Sequence, residues 1–259
     1  MPLTSRKKQN PEIKPRNETL ENMKKNLLIA ATLAAVITPT AFSQTTIRVL
    51  YATTPGVRSS HGGTSNSRSL VNSKHSELRS INGNSQLDIN WTRPTAFSSS
   101  YNTSNVTSSL QLDRLEGSSQ LSDVRNRRNQ TNGDLVHLFC QWSNTNTLGT
   151  ANLPGAFSIT LNRTLNVLSG SGGQRIVTYH EIGHNMNGTH DRAYCFTQGR
   201  ETLMANRSRC SGADNFRLVY SSSTLRANRN GTRGPRIGNG THNNRSRIRG
   251  RRSTTSNFR

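Results

Sequence analysis

Apolar residues are scarce in this chain: 30% of its 259 residues are hydrophobic and 5% are aromatic. The shortage leaves room for a core, because the apolar residues cluster into runs. The Ser-, Thr-, Asn- and Gly-rich remainder implies long surface loops. After residue 43 no apolar stretch approaches membrane-spanning length, which argues for a soluble mature chain. Lysine is nearly missing from that part, Lys74 being its sole example, and acidic residues number 13 against 34 Lys and Arg in the whole chain. Cysteine is limited to Cys140, Cys195 and Cys210. No internal repeat of useful period is present.

What is there begins with an address. Met23-Lys24-Lys25-Asn26 precedes the apolar run from Leu27 to Ile37, and Ala41-Phe42-Ser43 follows. A basic start, a short apolar segment and small residues before a cut ahead of Gln44 predict a signal peptide over 23–43. Residues 1–22 are a polar leader that reads as upstream of the true start at Met23. No cysteine follows the cut, which argues against a lipoprotein. Export to the periplasm or outside the cell favours an oxidised pair. Cys195 and Cys210 are close in sequence and are paired on that ground, closing a loop worth about 3 kcal/mol in the chain-entropy model. Cys140 lies in an apolar run and reads as a buried thiol.

The charge is strongly one-sided. Residues 1–43 contribute +4 of the total +21, which leaves +17 on residues 44–259, nearly all of it arginine. Such a chain could attract nucleic acid, anionic envelope polymers or acidic protein substrates, or be basic for solubility alone. Composition does not choose among these.

Periodicity supplies the elements. Ile47-Arg48-Val49-Leu50-Tyr51-Ala52 reads as a strand. Leu70, Val71, Leu78 and Ile81 fall at helical spacing, with Asn82-Gly83 as a stop. Leu87 to Trp91 alternates like a half-buried strand, and Leu110 to Val124 suggests one or two short helices. Leu135-Val136-His137-Leu138-Phe139-Cys140 is continuously apolar enough for the middle of a sheet. Ala156–Leu161 is a further strand, and a candidate edge for an extended peptide. Gly170 to Gly173 forms a turn before Ile176. The order predicts an α/β domain over 44–259 with a mixed, twisted sheet. Taken alone, the basic segment 226–259 could be a disordered tail.

The chemistry lies in His180-Glu181-Ile182-Gly183-His184-Asn185-Met186-Asn187-Gly188-Thr189-His190-Asp191. His180 and His184, four apart on a helix, project from one face and can share one zinc ion, with Glu181 beside them as general base. A catalytic zinc site takes a third protein ligand and keeps one position open. His190 can be that ligand if the helix stops and the chain turns back after His184. A residue comfortable at positive φ is then required. Asp191 is expected to orient the loop by hydrogen bonding, Tyr179 to pack, and His137 to be a satisfied core histidine. His61, His75 and His242 are expected at the surface.

The segment resembles the metzincin zinc peptidases, specifically the reprolysin-like members with Asp after the third histidine. Their pattern, H-E-x-x-H-x-x-G-x-x-H, has glycine where this chain has Asn187, with Gly188 next. Asn is the non-glycine residue that best tolerates the left-handed conformation. Thr202-Leu203-Met204-Ala205 is similar to the family's methionine turn, placed at about 202–206, with Met204 packing under the histidines. Softer likenesses to bacterial secreted peptidyl-Asp metalloendopeptidases extend over roughly 47–259, including a closing helix near 241–259. The resemblance implies one catalytic Zn2+ on His180, His184 and His190, protein or peptide substrates, and cleavage near acidic residues. A long propeptide of the kind common in the family is not expected. A monomeric secreted endopeptidase is the leading reading. A basic binding protein for nucleic acid or envelope polymers, with a non-catalytic zinc site, and a zinc amidase on a non-protein envelope substrate are the alternatives. The intact Glu181 counts against a purely structural site.

Overall fold

The computed structural model describes residues 44–103, 106–143, 146–167, 173–196, 200–206, 215–229 and 232–258. The leader 1–22, the signal segment 23–43, the turn residues 170–172 and Cys210 lie outside the described residues. The strands of the main sheet are β1 (Thr45–Thr53), β2 (Ile89–Thr92), β3 (Phe97–Ser98), β4 (Leu135–Cys140), β5 (Gly149–Ala151) and β6 (Phe157–Leu161). The helices are α1 (Pro55–Ser60), α2 (Thr64–Ser85), α3 (Ser108–Gly117), α4 (Ser122–Gln130), α5 (Gly173–Asn185) and α6 (Asn244–Thr255).

The chain is α/β. Among the described residues the sheet order is β2-β1-β4-β6-β5, with β3 also on β1; every pairing is parallel except β5 on β6. Alternation along the two central strands divides the core. Ile47, Val49 and Tyr51 of β1, with Leu135 and Phe139 of β4, pack with Val71 and Leu78 of α2 and Ile176 and Tyr179 of α5. Leu50 and Ala52, with Val136, Leu138 and Cys140, pack on the opposite face with Leu112, Leu115 and Val124. A strand covered on both faces buries every residue, and this is why β4 is an unbroken apolar run. Cys140 is a buried free thiol, and burial raises its pKa far above the ordinary thiol range.

Three expectations are corrected. α2 does not stop at Asn82-Gly83 but runs to Ser85. Its end is a left-handed Gln86, with the Gln86 N–H on Gly83 O (3.1 Å) and the Leu87 N–H on Asn82 O (3.2 Å). That pair of bonds closes the helix around a left-handed residue. His75 is buried, not at the surface. It shares the inward face of α2 with Val71 and Leu78, and its Nδ1 lies 3.5 Å from the Tyr51 hydroxyl.

The strand Ala156–Leu161 is not an edge, because β5 adds antiparallel outside β6 in the register Gly149↔Thr160, Thr150↔Ile159, Ala151↔Ser158. Gly149-Thr150-Ala151 carries no apolar alternation, so no pattern signals a strand there.

Downstream of α5, β7 (Cys195–Phe196), β8 (Arg200–Thr202) and β9 (Asn215–Arg217) form a small sheet, and β10 (Arg226–Arg229) pairs with β11 (Thr232–Arg236). The basic segment 226–258 is therefore a hairpin and a helix among its described residues. Several of its cations serve the structure. Arg249 and Arg252 pair with Asp88, and the Arg245 Nε donates to Ser85 O (2.9 Å), so α6 is fastened to the end of α2.

Candidate metal centre

α5 carries the first two histidines, and its other residues fix where it lies. Ile176, Tyr179, Ile182 and Met186 are buried against the sheet and α2. Near its start, the Arg175 Nε donates to Glu77 Oε1 (2.6 Å) and the Tyr179 hydroxyl donates to Glu77 Oε2. Lys74 is fully buried and donates to Val167 O (2.9 Å) and Arg175 O (3.0 Å). Burial outweighs the nearby Glu77 carboxylate and pulls its pKa down to about 8. At the other end, the Asn185 amide donates to Phe157 O (2.8 Å), tying the helix to β6. Tyr179 thus does more than pack.

The helix ends where the chain must turn. Asn187 has φ +68°; its N–H bonds His184 O (2.8 Å) and the Gly188 N–H bonds Gly183 O (2.7 Å). These are the two bonds of a closed helix end with a left-handed residue between them. The chain then passes through Thr189, and His190 opens a short 3-10 turn over His190–Arg192.

The three imidazoles face one another. His180 Nε2 is 2.9 Å from His190 Nε2 and 3.1 Å from His184 Nε2, and His184 and His190 are 3.1 Å apart by the same atoms. Each outer nitrogen is occupied. His180 Nδ1 donates to Leu203 O (2.7 Å), His184 Nδ1 donates to Gly188 O (2.8 Å), and the Asn206 side-chain amide stands 3.2 Å from His190 Nδ1. Burial first, then the neighbouring imidazoles, holds His180 down at about 3 and His184 at about 4. Both rings are therefore neutral at pH 7, with Nδ1 protonated and Nε2 bare. Bare lone pairs crowded to 3.1 Å repel unless a cation lies between them. With His190 these two histidines form the only His/Cys/Asp/Glu group that could hold a metal ion among the described residues. The donor set fits zinc, which takes imidazole nitrogen and leaves a fourth position open.

Support comes from below. Met204 is fully buried, and its sulfur sits where a Cβ on Gly183 would be, 2.5 Å from that position. The glycine inside the motif is what lets the methionine rise against the helix. Tyr220 packs beside it, its hydroxyl donating to Tyr179 O (2.7 Å). Asp191 is no part of the nitrogen cluster. Its carboxylate lies 3.5 Å from Arg192 Nε, and the Thr189 side chain, helped by the Arg192 and Arg247 cations, holds it below the usual carboxylate range. The loop before His190 is also held by Asn244, which accepts from the Thr189 N–H (2.8 Å) and donates to Thr189 O (3.0 Å).

Glu181 is nearly buried, and burial pushes its carboxyl up to about 8. It lies against β5: a Cβ on Gly149 would fall 2.6 Å from Glu181 Oε1. The sheet's edge strand therefore runs directly past the carboxylate.

Residues 43–223 match a reprolysin model of metallo-peptidase family M12. The chain belongs to this family. No curated protein matches it. Among solved structures, this chain is similar to one titled as part of a chaperone–substrate complex, with 18% identity and a TM-score of 0.64 over 83% of this chain and 35% of that one. The chain thus spans about a third of that neighbour's length. Also similar are the archaemetzincin of Methanopyrus kandleri (15% identity, 70% and 92% of the two chains, TM-score 0.39) and metalloproteinase-II of Bacteroides fragilis (12%, 59% and 45%, TM-score 0.37).

His137, on β4, makes bonds to Ser158 Oγ (2.8 Å) and Thr160 Oγ1 (3.0 Å) and is a satisfied core residue. His61 and His242 are half-exposed. Sequence reasoning missed Gly149, Asn206, Tyr220, Asn244 and Arg247. Only Tyr220 had a signal, lying in the apolar Leu218-Val219-Tyr220 stretch after the methionine turn.

Proposed function

We propose that this chain is an exported zinc endopeptidase whose general base is Glu181. The observation that carries the reading is a nearly buried carboxylate, next in the helix to the first of three clustered imidazoles, that lies against the edge strand β5. A site needed only for structure gains nothing from burying an acid on the ligand helix and running a strand edge past it.

Zinc, when bound by His180, His184 and His190, supplies a Lewis acid and brings the pKa of a water toward about 7. The chain's own groups do the rest. An extended peptide pairs with the open edge of β5 through backbone hydrogen bonds, which aligns its scissile bond past Gly149. With the metal's positive charge, when it is bound, favouring the ionised carboxylate against the pull of burial, Glu181 Oε takes the proton of the attacking water and passes it to the leaving amine. The buried wall of Met204 and Tyr220 holds α5 still while this occurs.

The finer features belong to the same proposal. The +17 charge on residues 44–259 suits acidic residues near the cut. Export by residues 23–43 would provide an oxidising compartment, in which Cys195 pairs with Cys210, its near neighbour in the sequence.

The test is hydrolysis of casein and of a proteome-derived peptide library, with cut sites profiled by mass spectrometry. Cleavage should stop with a chelator, return with zinc, and favour sites near Asp or Glu. Glu181→Gln should lower kcat by about 10²- to 10⁴-fold, the usual range for a positioned acid–base group. Full activity in that variant would refute the mechanism. Zinc-loaded protein that cleaves nothing but binds DNA with a steep salt dependence would favour the basic binding protein instead.

A further inference from the structure

The turn after α5 is built on an unusual residue. Asn187 holds φ +68°, a conformation that costs any residue with a Cβ and that glycine adopts freely. Both ligands at the end of the helix and beyond it depend on this turn. Gly188 O fixes the tautomer of His184, and Thr189 leads into His190. A loose turn would therefore disturb two of the three nitrogens.

α6 reaches this turn from the far end of the chain. Arg247 places its guanidinium against Asn187 with two prongs: Nε donates to Asn187 O (2.8 Å) and Nη2 donates to Asn187 Oδ1 (2.9 Å). Backbone and side chain of one residue are gripped together, which fixes ψ and χ1 at once. One turn earlier on the same helix, fully buried Asn244 holds the Thr189 peptide on both its N–H and its carbonyl. Arg247 and Asn244 lie three positions apart, so they share one face of α6.

We propose that Arg247 is a positioning residue for the metal centre, and that its two-pronged grip is what allows a non-glycine residue to serve at position 187. This rests on the zinc reading above. A lysine could supply the charge but only a single point of donation, so it would not replace the fork. The prediction is a coupling: with glycine at 187 the turn no longer needs holding, and the arginine becomes dispensable.

The experiment is a double-mutant cycle on the full chain with Arg247→Ala, Asn187→Gly and both together, plus Arg247→Lys and Arg249→Ala. Zinc affinity is read by competition with a fluorescent chelator, and cobalt-substituted protein reports the ligand field by its visible absorption. With Asn187 in place, Arg247→Ala should weaken zinc about 10- to 100-fold, the usual effect of losing a residue that orients metal ligands. Arg247→Lys should fail to restore it. In the Asn187→Gly background the same alanine should cost under about 3-fold. Arg249, on the same helix but paired with Asp88, controls for docking of α6 and should leave zinc affinity in place.

Equal costs in both backgrounds, or an equal cost from Arg249→Ala, would overturn the proposal. If the unmutated protein binds no zinc, the function proposed above fails with the metal half of this inference. The coupling of 187 with 247 is then read from urea midpoints of chelated protein, where additive effects would overturn the bracing itself.

Discussion

Gly149→Ala isolates the contact between the edge strand and the carboxylate. A Cβ at 149 would sit 2.6 Å from Glu181 Oε1, 2.7 Å from Glu181 Cγ and 2.7 Å from Val177 Cγ1. Ordinary contact begins at 3.4 Å, so relief requires movement of about 0.8 Å by the carboxylate, by β5, or by both. Overpacking of this size costs about 1–3 kcal/mol, which for a domain of this length lowers Tm by about 2–12 °C. The catalytic cost is larger in proportion, because a displacement near 1 Å of a reacting group can cost ~10²-fold. We expect kcat to fall about 10- to 100-fold on a fluorogenic peptide. Zinc affinity should stay within about 3-fold, since the three atoms nearest the added carbon belong to Glu181 and Val177. A folded variant with kcat within about 3-fold of the parent would refute the argument. Parallel loss of zinc would show collapse of the whole site instead.

Acid should unfold the metal-free protein steeply. Burial holds His137 down at about 3 and His75 at about 4. Both are neutral when folded and protonate near 6.5 when unfolded, so their contribution is intact above about pH 6.5 and is lost as pH falls toward 4. These two protons alone give a slope of about 2.7 kcal/mol per pH unit near pH 5, and His180 and His184, held down in the same way, steepen it; urea midpoints measure it, and a flat profile would count against neutral burial. Cys140 should resist thiol reagents in the folded protein and react once it is denatured, and rapid labelling without denaturant would contradict its burial. Saturating zinc at about 1,000 times its Kd should stabilise the protein by about 4 kcal/mol against urea; no shift would mean that the folded state does not bind it preferentially.

Much of the site was legible in the residues because its logic is local. The four-residue spacing of His180 and His184 is a property of one helix, and the demand for a left-handed residue before His190 follows from the return of the chain. Residue 187 does adopt that conformation. The unbroken apolar run of β4 likewise announced a strand in the middle of a sheet. His75 was misjudged because one helix face holds both apolar and polar residues, and only packing against Tyr51 shows which way it points.

The sequence by itself determined the three imidazoles, the adjacent acid and the main strands and helices around them, since each depends on neighbours within a few positions. Only the tertiary structure decided what holds them. Gly149 and Glu181 are far apart in the chain, as are Asn187 and Arg247, and no periodicity records such a meeting. The edge of the sheet was settled the same way, by three residues without pattern that bond outside β6. A basic segment that reads as a solvated tail became a clamp because Asp88, Asn187 and the end of α2 stand where its arginines reach.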